Sequence, residues 1–266
     1  MDEQVVLITG AGKGVGKNLC TALKKRGYIV AAAARDTDSL EETQADMKVE
    51  IDVTDDEEVR AGAKAVYDKF GKIDILVNNA GYSVRSAVEE MDTDQIARMF
   101  DVNVYGVIRM IKAVSPFMRK CAKGKIINIG SVSGRLTSVV NGGYCASKHA
   151  LEAISEAARY ELGNFGIQVT VIEPGAMDTD FFRTLSVNSD DAMNNKISPY
   201  YEIYQRDLRY RQLQKKASVL NSVRQMITII EKKKLKVRYQ VSLGIIFKIL
   251  IHLPDAVKEK LILRFS

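Results

Sequence analysis

The chain contains 266 residues, of which 46% are hydrophobic and 27% are charged, with only four prolines. This composition is typical of a soluble globular protein and argues against a disordered chain. The formal net charge is +6, but the excess of lysine and arginine lies after residue 205, without a platform of interleaved aromatic and basic residues. A nucleic-acid partner is therefore not predicted.

Cysteine and histidine usage limits other chemistries. Cys20, Cys121 and Cys145 are odd in number and lack ligand-like spacing, so neither a disulfide framework nor a zinc site is predicted. The two histidines, His149 and His252, argue against a histidine metal site or a Ser/His/Asp triad. No metal is expected. The N-terminal sequence lacks the basic region and cleavage site of a signal peptide, and a cytoplasmic location is expected.

The chain begins with a pattern that indicates nucleotide binding. Val5 to Ile8 form an apolar run of strand length, followed by the glycine-rich segment 9–16 and a helical pattern. This order places backbone N–H groups and the positive end of a helix dipole against a phosphate. Neither the G-x-G-x-x-G spacing nor the P-loop pattern is met, and a glycine turn without a ligand is the alternative. The residues expected to contact a dinucleotide here are Gly10, Lys13, Gly14, Val15 and Gly16.

The second apolar run, Tyr28 to Ala33, ends in Arg35 and Asp36. In a dinucleotide-binding fold, an acid after this strand accepts from the ribose 2′-hydroxyl, whereas an arginine accommodates a 2′-phosphate. Lys13 adds a second cation that could reach the same phosphate. The pattern therefore favours NADP(H) over NAD(H), although Arg35 could be a solvated loop charge and Asp36 a helix cap.

Further apolar runs continue the alternation of strands and helices. They are predicted at 48–51, 73–77, 124–129, 168–172 and 237–241, with helical patterns between them. Such alternation implies right-handed βαβ crossovers and a parallel sheet covered on both faces. We therefore predict an α/β fold in which residues 1–266 form a single doubly wound, Rossmann-type domain with about seven strands.

Tyr144 and Lys148 lie four residues apart at the start of an apolar, helix-periodic segment. They are predicted to share one face of a helix. A phenol loses its proton near pH ~10, and a neighbouring ammonium group and the positive end of a helix both lower that pKa. The pair could then exchange a proton near neutral pH. A surface pair on an amphipathic helix is the alternative.

Polar and glycine clusters follow the fourth, fifth and sixth predicted strands, at the sheet edge where ligands bind. When these clusters are included, the sequence resembles the short-chain dehydrogenase/reductase family over roughly residues 4 to 180. It resembles in particular the hydroxysteroid and retinol dehydrogenase-like members of that family. The motifs that carry the resemblance are Thr9-Gly10-x-x-x-Gly14-x-Gly16, Asp52, Asn78-Asn79-Ala80-Gly81, Asn103, Ser131, Tyr144-x-x-x-Lys148 and Pro174-Gly175 with Thr179.

The resemblance implies site residues at the matching positions. It implies a catalytic tetrad of Asn103, Ser131, Tyr144 and Lys148. It places Asp52 near the adenine, Asn79 against the adenosine ribose and Thr179 near the nicotinamide amide. Further cofactor contacts are expected from Val53, Ala80, Gly81, Pro174, Gly175 and Met177.

The chemistry of these roles follows from the reaction. A secondary alcohol and a ketone differ by a hydride and a proton, and a nicotinamide exchanges the hydride. Tyr144 would exchange the proton, while Ser131 would donate a hydrogen bond to the substrate oxygen. Lys148 would lower the pKa of Tyr144 and bind the nicotinamide ribose, and Asn103 would hold a water that links Lys148 to solvent.

Only sixteen residues separate Arg35 from Asp52, fewer than the resemblance leads us to expect. The helix between the second and third strands is therefore predicted to be short, around Ser39 to Ala45. This departure affects the adenine pocket and leaves the proposed proton transfer unchanged.

Residues 178–214 are predicted to form a substrate lid. The periodicity fades there, and aromatic and aliphatic residues lie among Ser, Asn and Asp at the carboxyl end of the sixth strand. This composition favours an apolar alcohol or ketone, such as a steroid, a retinoid or another lipid-like molecule. The alternative is that these side chains only pack the segment onto the body. They are Phe181, Phe182, Leu185, Met193, Ile197, Tyr200, Tyr201, Ile203 and Tyr204.

Residues 241–266 form an apolar and helical extension. The segment 241–253 is too short to span a bilayer, which requires about 20 residues. With lysines nearby, it could lie peripherally on a membrane surface, pack on a second subunit or simply cover the sheet. The resemblance implies pairing of subunits through the helices after the fourth and fifth strands, and hence a homodimer or homotetramer.

The sequence thus predicts an NADP(H)-dependent oxidoreductase acting on a secondary alcohol or ketone of an apolar molecule. Two alternatives remain. One is a reductase of ketoacyl groups on an acidic carrier protein. The other is a non-catalytic regulatory protein that binds a dinucleotide, against which the complete set of Ser131, Tyr144 and Lys148 argues.

Overall fold

A parallel seven-stranded sheet forms the centre of the protein, whose computed structural model describes residues 3–179 and 193–265. The strand order is β3-β2-β1-β4-β5-β6-β7, and every neighbouring pair is parallel. The predicted doubly wound sheet is confirmed. Its strands are β1 (Val5–Thr9), β2 (Ile29–Ala34), β3 (Met47–Glu50), β4 (Ile75–Asn78), β5 (Gly124–Ile129), β6 (Ile167–Pro174) and β7 (Arg238–Val241).

Helices connect these strands and cover both faces of the sheet. Among the described residues they are α1 (Gly14–Lys24), α2 (Asp56–Phe70), α3 (Thr93–Phe100), α4 (Gly106–Lys120), α5 (Gly142–Gly163), α6 (Tyr201–Leu213), α7 (Val219–Ile230), α8 (Ile245–Leu250) and α9 (Asp255–Phe265). Short turns of 3₁₀-helix and one π-helical turn, Asp101–Tyr105 before α4, complete the connections.

Alternating side chains of β1 divide the core into two layers. Val6 and Ile8 pack with residues of α1 and α7, whereas Val5 and Leu7 pack with residues of α2, α4 and α5. Successive strand residues point to opposite faces, and this strand is fully buried on both. Because helices cover both faces of this strand, the sequence from Val5 to Ile8 is continuously apolar and does not alternate between apolar and polar residues.

The strand order reverses between β1 and β4. Connections from these two neighbours leave toward opposite faces of the sheet, which opens a crevice beyond their carboxyl ends. The glycine turn after β1 and the Asn79–Gly81 segment after β4 meet at this crevice.

The short helix predicted around Ser39–Ala45 is wrong. The chain forms only one 3₁₀ turn, Asp38–Leu40, before β3. Leu40 is fully buried in the core, and the Thr43 hydroxyl donates to the Ala11 carbonyl at 3.1 Å. These two attachments hold the segment against the glycine turn, so it crosses to β3 without a further helical turn.

The predicted lid contains a regular helix where the periodicity suggested none. Helix α6 covers thirteen residues, and Tyr204 on it is completely buried. The Tyr204 hydroxyl donates to Glu90 at 2.6 Å and accepts from the Ala87 N–H at 2.9 Å. Met193 and Tyr204 therefore pack the segment onto the body. The predicted lid residues Phe181, Phe182 and Leu185 lie outside the described residues.

The C-terminal extension continues from β7 into two short helices. On α8, Ile245 and Ile246 are 75% and 68% exposed, and Ile249 is 56% exposed. Within residues 3–179 and 193–265, no helix combines the length and the hydropathy that crossing a bilayer requires.

Candidate active site

A cleft of about 1160 Å³ lies beyond the carboxyl ends of the strands. The ends of β1, β2, β4, β5 and β6 form its floor, and α6, α8 and α9 contribute to its outer wall. The predicted site residues that line it are Gly10, Lys13, Gly14, Val15, Arg35, Asn79, Ala80, Gly81, Ser131, Tyr144, Lys148, Pro174, Gly175, Met177 and Thr179.

The glycine turn has the geometry that a phosphate group requires. Gly10 and Gly14 adopt φ of +62° and +55°, which favour glycine. Of the residues that the structure describes, a Cβ on Gly14 would meet only the Thr179 side chain, at 3.8 Å, and these residues leave the backbone of the turn open to the cleft. Helix α1 begins there without a side-chain cap, which leaves its first N–H groups for an external acceptor. The residues present therefore fit a dinucleotide pyrophosphate.

Gly16 and Asn79 shape this turn from behind. The Asn79 amide donates to the carbonyl oxygens of Thr9 and Gly10, both at 3.0 Å. A Cβ on Gly16 would lie 2.3 Å from the Gly10 oxygen. Gly16 does not line the cleft, so its position is explained by close packing of α1 against the turn. The hydroxyl of Thr9 accepts the N–H groups of Asn79 and Ala80 at 3.1 Å and joins β4 to the same turn.

Arg35 and Lys13 both line the cleft near the end of β2. Asp36 lines it as well, but its carboxylate accepts the Asp38 N–H at 2.9 Å and caps the 3₁₀ turn. One oxygen of the acid thus has a local partner, and both the acid and the arginine are exposed at the cleft wall.

Asp52 and Val53 lie at the turn after β3 and are not among the described residues that line the cleft. The Asp52 carboxylate accepts the N–H and the hydroxyl of Thr54, at 2.9 and 2.7 Å. Val53 is buried, and a Cβ on Gly106 would lie 2.8 Å from its side chain. Both residues stabilise the turn after β3 and its packing against α4, and their predicted contact with the cofactor stays a prediction.

Ser131, Tyr144 and Lys148 meet in the middle of the cleft. Ser131 follows β5, and its side chain forms a hydrogen bond with Tyr144. Tyr144 and Lys148 are buried on the first turns of α5, and the Lys148 Nζ lies 5.8 Å from the Tyr144 ring centroid. The ammonium group donates to the Ile129 carbonyl at 2.9 Å. The predicted shared face of Tyr144 and Lys148 is confirmed.

Asn103 is buried behind this group and does not line the cleft. It occupies the π-helical turn before α4, a distortion that is frequent at functional sites. Its side chain exchanges two hydrogen bonds with the backbone of Tyr82 and donates to the Ser147 hydroxyl at 3.1 Å. A Cβ on Gly81 would lie 3.0 Å from the Asn103 Oδ1 and 3.8 Å from the Lys148 Nζ, so the three positions adjoin.

Burial dominates the titration of the tyrosine and the lysine. It raises the pKa of Tyr144 to about 12, which outweighs the lowering by the Ser131 hydrogen bond and the charge of Arg85. It lowers the pKa of Lys148 to about 8, against the opposing charge of Glu152. The predicted lowering of the Tyr144 pKa is therefore wrong for the protein alone, because removal of water penalises both charged forms.

One group of cleft residues was missed by sequence reasoning. Arg85, Asp207 and Arg211 line the cleft and form a buried ion cluster. Arg85 lies in an irregular segment after β4, and the other two lie on α6, more than a hundred residues later. The i, i+4 spacing of Asp207 and Arg211 was the only local signal, and nothing in it indicates the contact with Arg85.

The crevice at the reversal of the strand order, its glycine turn and its buried Ser–Tyr–Lys group define a dinucleotide-dependent oxidoreductase. A family model described as short chain dehydrogenase matches residues 4–190. The chain belongs to the short-chain dehydrogenase/reductase family.

Known relatives agree with this assignment. A 3-ketodihydrosphingosine reductase from Bacteroides thetaiotaomicron is 37% identical over 181 residues, which are 68% of this chain and 66% of that enzyme. A short chain dehydrogenase from Burkholderia cenocepacia in complex with NADP has a TM-score of 0.78 at 26% identity, covering 99% of this chain and 97% of its own. One from Burkholderia phymatum in complex with NAD has a TM-score of 0.82 at 25% identity, covering 98% and 95%.

Proposed function

We propose that the protein interconverts a secondary alcohol and a ketone on an apolar, lipid-like molecule with NADP(H). One observation carries the proposal: a single cleft joins the glycine turn, the Ser131–Tyr144–Lys148 group and an apolar wall. The wall consists of Leu136, Val139, Ile203, Ile246, Phe247, Leu250 and Leu261.

The residues in the middle of the cleft would carry the proton. A bound nicotinamide supplies or accepts the hydride. Tyr144 donates its proton to the ketone oxygen during reduction and takes it back during oxidation. Ser131 donates a hydrogen bond to the same oxygen and stabilises the charge that develops there. Lys148 holds the ribose end of the cofactor, and Asn103 fixes the loop at Gly81 through the Tyr82 backbone.

Two cations support NADP(H) as the cofactor. Lys13 and Arg35 line the part of the cleft that follows β1 and β2, where a 2′-phosphate would lie. Asp36 accepts the Asp38 N–H through one carboxylate oxygen and keeps the other for a hydroxyl, so the support for NADP(H) comes from the two cations. One solved relative holds NADP and another NAD, so the preference rests on these side chains.

The apolar wall supports a lipid-like substrate. Its aliphatic and aromatic residues would bury a hydrocarbon chain or ring system beside Tyr144. A relative that is named a 3-ketodihydrosphingosine reductase agrees with a ketone in a long-chain molecule. A ketoacyl group on a carrier protein is the second candidate, because basic residues on α6, such as Arg206, lie at the same wall.

A parallel screen tests this function. Long-chain, steroid and retinoid ketones are offered with NADPH and NADH, the corresponding alcohols are offered with NADP⁺ and NAD⁺, and absorbance of the reduced cofactor is followed. We expect turnover of at least one apolar ketone, faster with NADPH. Binding of NADPH without turnover of any compound would favour a regulatory protein, and turnover limited to acyl-carrier thioesters would favour the second candidate.

We also propose that the protein meets the membrane surface through α8. The isoleucines 245, 246 and 249 are exposed beside the cleft wall, with Lys248 among them. Co-sedimentation with anionic phospholipid vesicles tests this contact, and an Ile249→Ser variant should sediment less. Unchanged sedimentation of this variant would exclude α8 as the contact.

We further propose a homodimer or homotetramer that pairs through α4 and α5. Tyr160 near the end of α5 is 64% exposed, and Phe165 just after it is 48% exposed, which is consistent with a surface that a second copy covers. Light scattering during size-exclusion chromatography measures the mass directly, and a monomer would refute this proposal.

A further inference from the structure

Arg85, Asp207 and Arg211 form a buried ion cluster at the wall of the cleft. The Arg85 Nη1 contacts both carboxylate oxygens of Asp207, at 2.9 and 3.1 Å. The Arg211 Nε contacts the same carboxylate at 2.9 Å. The side chains are 13%, 7% and 10% exposed, so water screens this group little. Among the described residues, two guanidinium groups share the carboxylate of Asp207, so these three side chains carry one positive charge in excess.

The rest of the cleft adds to that charge. Among the described lining residues, eight are lysine or arginine and two are acidic, and the acid Asp36 is on the side of the glycine turn. The basic residues are Lys13, Arg35, Arg85, Lys148, Arg206, Arg211, Lys215 and Lys258. A 2′-phosphate at Lys13 and Arg35 accounts for only two of them. The charged lining residues described on α6, Arg206, Asp207 and Arg211, therefore keep one positive charge in excess after a cofactor is bound.

The hydrogen bonds of Arg211 show that one of its donors has a weak acceptor. Its Nη2 donates to the thioether sulfur of Met193 at 3.6 Å. Thioether sulfur is a weak acceptor, whereas guanidinium groups bind carboxylate and phosphate oxygens strongly. An anionic oxygen in the cleft would be the better partner for this donor. Burial lowers the pKa of Arg85 in the same cluster, against the opposing charge of Asp207.

The cluster also lies close to the proton-transfer group. The charge of Arg85 lowers the pKa of Tyr144, so the two side chains interact electrostatically. Apolar residues of α6 and α8, among them Ile203 and Phe247, line the same wall. A ligand that reaches from Tyr144 along this wall would thus bury a chain and meet a cation.

From this arrangement we infer that the substrate is an anionic amphiphile, whose carboxylate or phosphate group binds at Arg85 and Arg211 while its hydrocarbon part lies on the apolar wall. The inference rests on the proposed function, which it deepens by assigning a charge to the lipid-like substrate. Asp207 holds the two guanidinium groups until the anion arrives, and then shares them with it.

Calorimetry with four ligands of equal chain length tests the inference on the full chain with saturating NADP⁺. The ligands are decanoate, decyl phosphate, decan-1-ol and decyltrimethylammonium. We expect the two anions to bind about ten- to a hundredfold more tightly than the alcohol, as hydrogen bonds to charged groups imply. The tighter of the two anions identifies the head group. Equal affinity for the alcohol, or preference for the ammonium compound, would overturn the inference.

Three variants separate ligand binding from a structural clamp. Arg211→Gln should remove the preference for anions and leave the affinity for decan-1-ol unchanged, while Arg224→Gln on the exposed face of α7 removes an equal charge away from the cleft and should change neither. Asp207→Asn removes the competing carboxylate and should raise the affinity for decanoate about tenfold. If Arg211→Gln and Asp207→Asn lowered the affinity for all four ligands equally, the two side chains would have only a structural role, and the anion site would be refuted.

The design remains informative if a variant does not fold, because the four ligands already discriminate on the unaltered protein. It also separates this inference from the proposed function. Selective binding of decanoate without turnover of any ketone would leave the anion site intact and refute the oxidoreductase activity. Turnover of neutral ketones without selectivity for anions would do the reverse.

Discussion

The two ends of the cleft are built differently. The cofactor end consists of strand termini and a turn whose shape depends on the backbone, with positive φ at Gly10 and Gly14 and the Asn79 amide bound to the turn. The substrate end consists of side chains from elements outside the sheet, such as Arg85, and from α6 and α8.

This difference indicates how the protein can keep its chemistry while its substrate changes. The cofactor end shares its hydrogen bonds and close contacts with the core, so substitutions there disturb folding as well as binding. The substrate end is held mainly by side-chain contacts between α6 and the segment after β4, away from the glycine turn, so substitutions there should alter affinity for one ligand and leave the other unchanged. Tyr144 lies between the two ends, and four substitutions test how separate they are.

The largest effect is expected for Tyr144→Phe. Loss of the phenol removes the proton donor, and kcat for reduction should fall by about a hundred- to ten-thousandfold. Affinity for NADPH, measured by fluorescence of the bound cofactor, should stay the same because the turn is untouched. Tyr67→Phe on α2, outside the cleft, is the matched control and should retain kcat. A Tyr144→Phe enzyme with full activity would refute the proton-transfer role.

The next largest effect is the contribution of Lys148 to the pH dependence of the free energy of unfolding. Burial lowers the pKa of Lys148 from 10.5 to about 8, so the unfolded chain binds the extra proton between these values. Stability therefore rises with pH through this window, by up to about 3 kcal/mol for a shift of this size. The free energy of unfolding of the wild type, measured in urea from pH 7 to 10, should rise relative to that of Lys148→Met.

Tyr144 affects stability in the opposite sense at higher pH. Burial raises its pKa from 10.0 to about 12, so the unfolded chain releases this proton first and stability falls above pH 10.

The Lys148 prediction can be contradicted by the same measurement. Parallel curves of unfolding free energy against pH for the wild type and Lys148→Met, between pH 8 and 10, would show that the lysine is not desolvated.

The cofactor end and the substrate end of the cleft also differ in how much of each could be predicted from the sequence. Strands and the glycine turn follow from local apolar runs and from the geometry that Gly10 imposes, and the shared face of Tyr144 and Lys148 follows from helical spacing. Burial was not accessible in the same way. The pKa of Tyr144 depends on how completely α5 and its neighbours exclude water, and a spacing of four residues does not report this.

The placement of Asp52 and the contact of Arg85 both depend on tertiary structure. Asp52 matches a family position, but a shortened segment before β3 and the Thr54 hydroxyl determine where its carboxylate points. Arg85 meets Asp207 across 122 residues, a contact that only the tertiary fold creates. Residues held by the sheet were therefore predictable, and those held by side-chain contacts between distant segments were not.

A smaller effect is expected at Arg35. Replacement by alanine removes one cation from the expected 2′-phosphate site, and the affinity for NADPH should fall about ten- to a hundredfold. The affinity for NADH should remain unchanged, because NADH has no such phosphate. Arg60→Ala on the exposed face of α2 is the control for loss of charge. Equal losses for both cofactors would show that Arg35 supports the fold of the cofactor end instead.

The smallest effect is expected at Ile246. This side chain lines the cleft, whereas its neighbour Ile245 is more exposed and does not. Ile246→Ser should raise KM for a long-chain ketone about fivefold, since it removes roughly 1 kcal/mol of apolar contact. Ile245→Ser should not do so in the absence of vesicles, and KM for NADPH should not change in either variant. A rise in KM for NADPH with Ile246→Ser would mean that the ends of the cleft are coupled, because a side chain on α8 would then reach the cofactor through the shared wall.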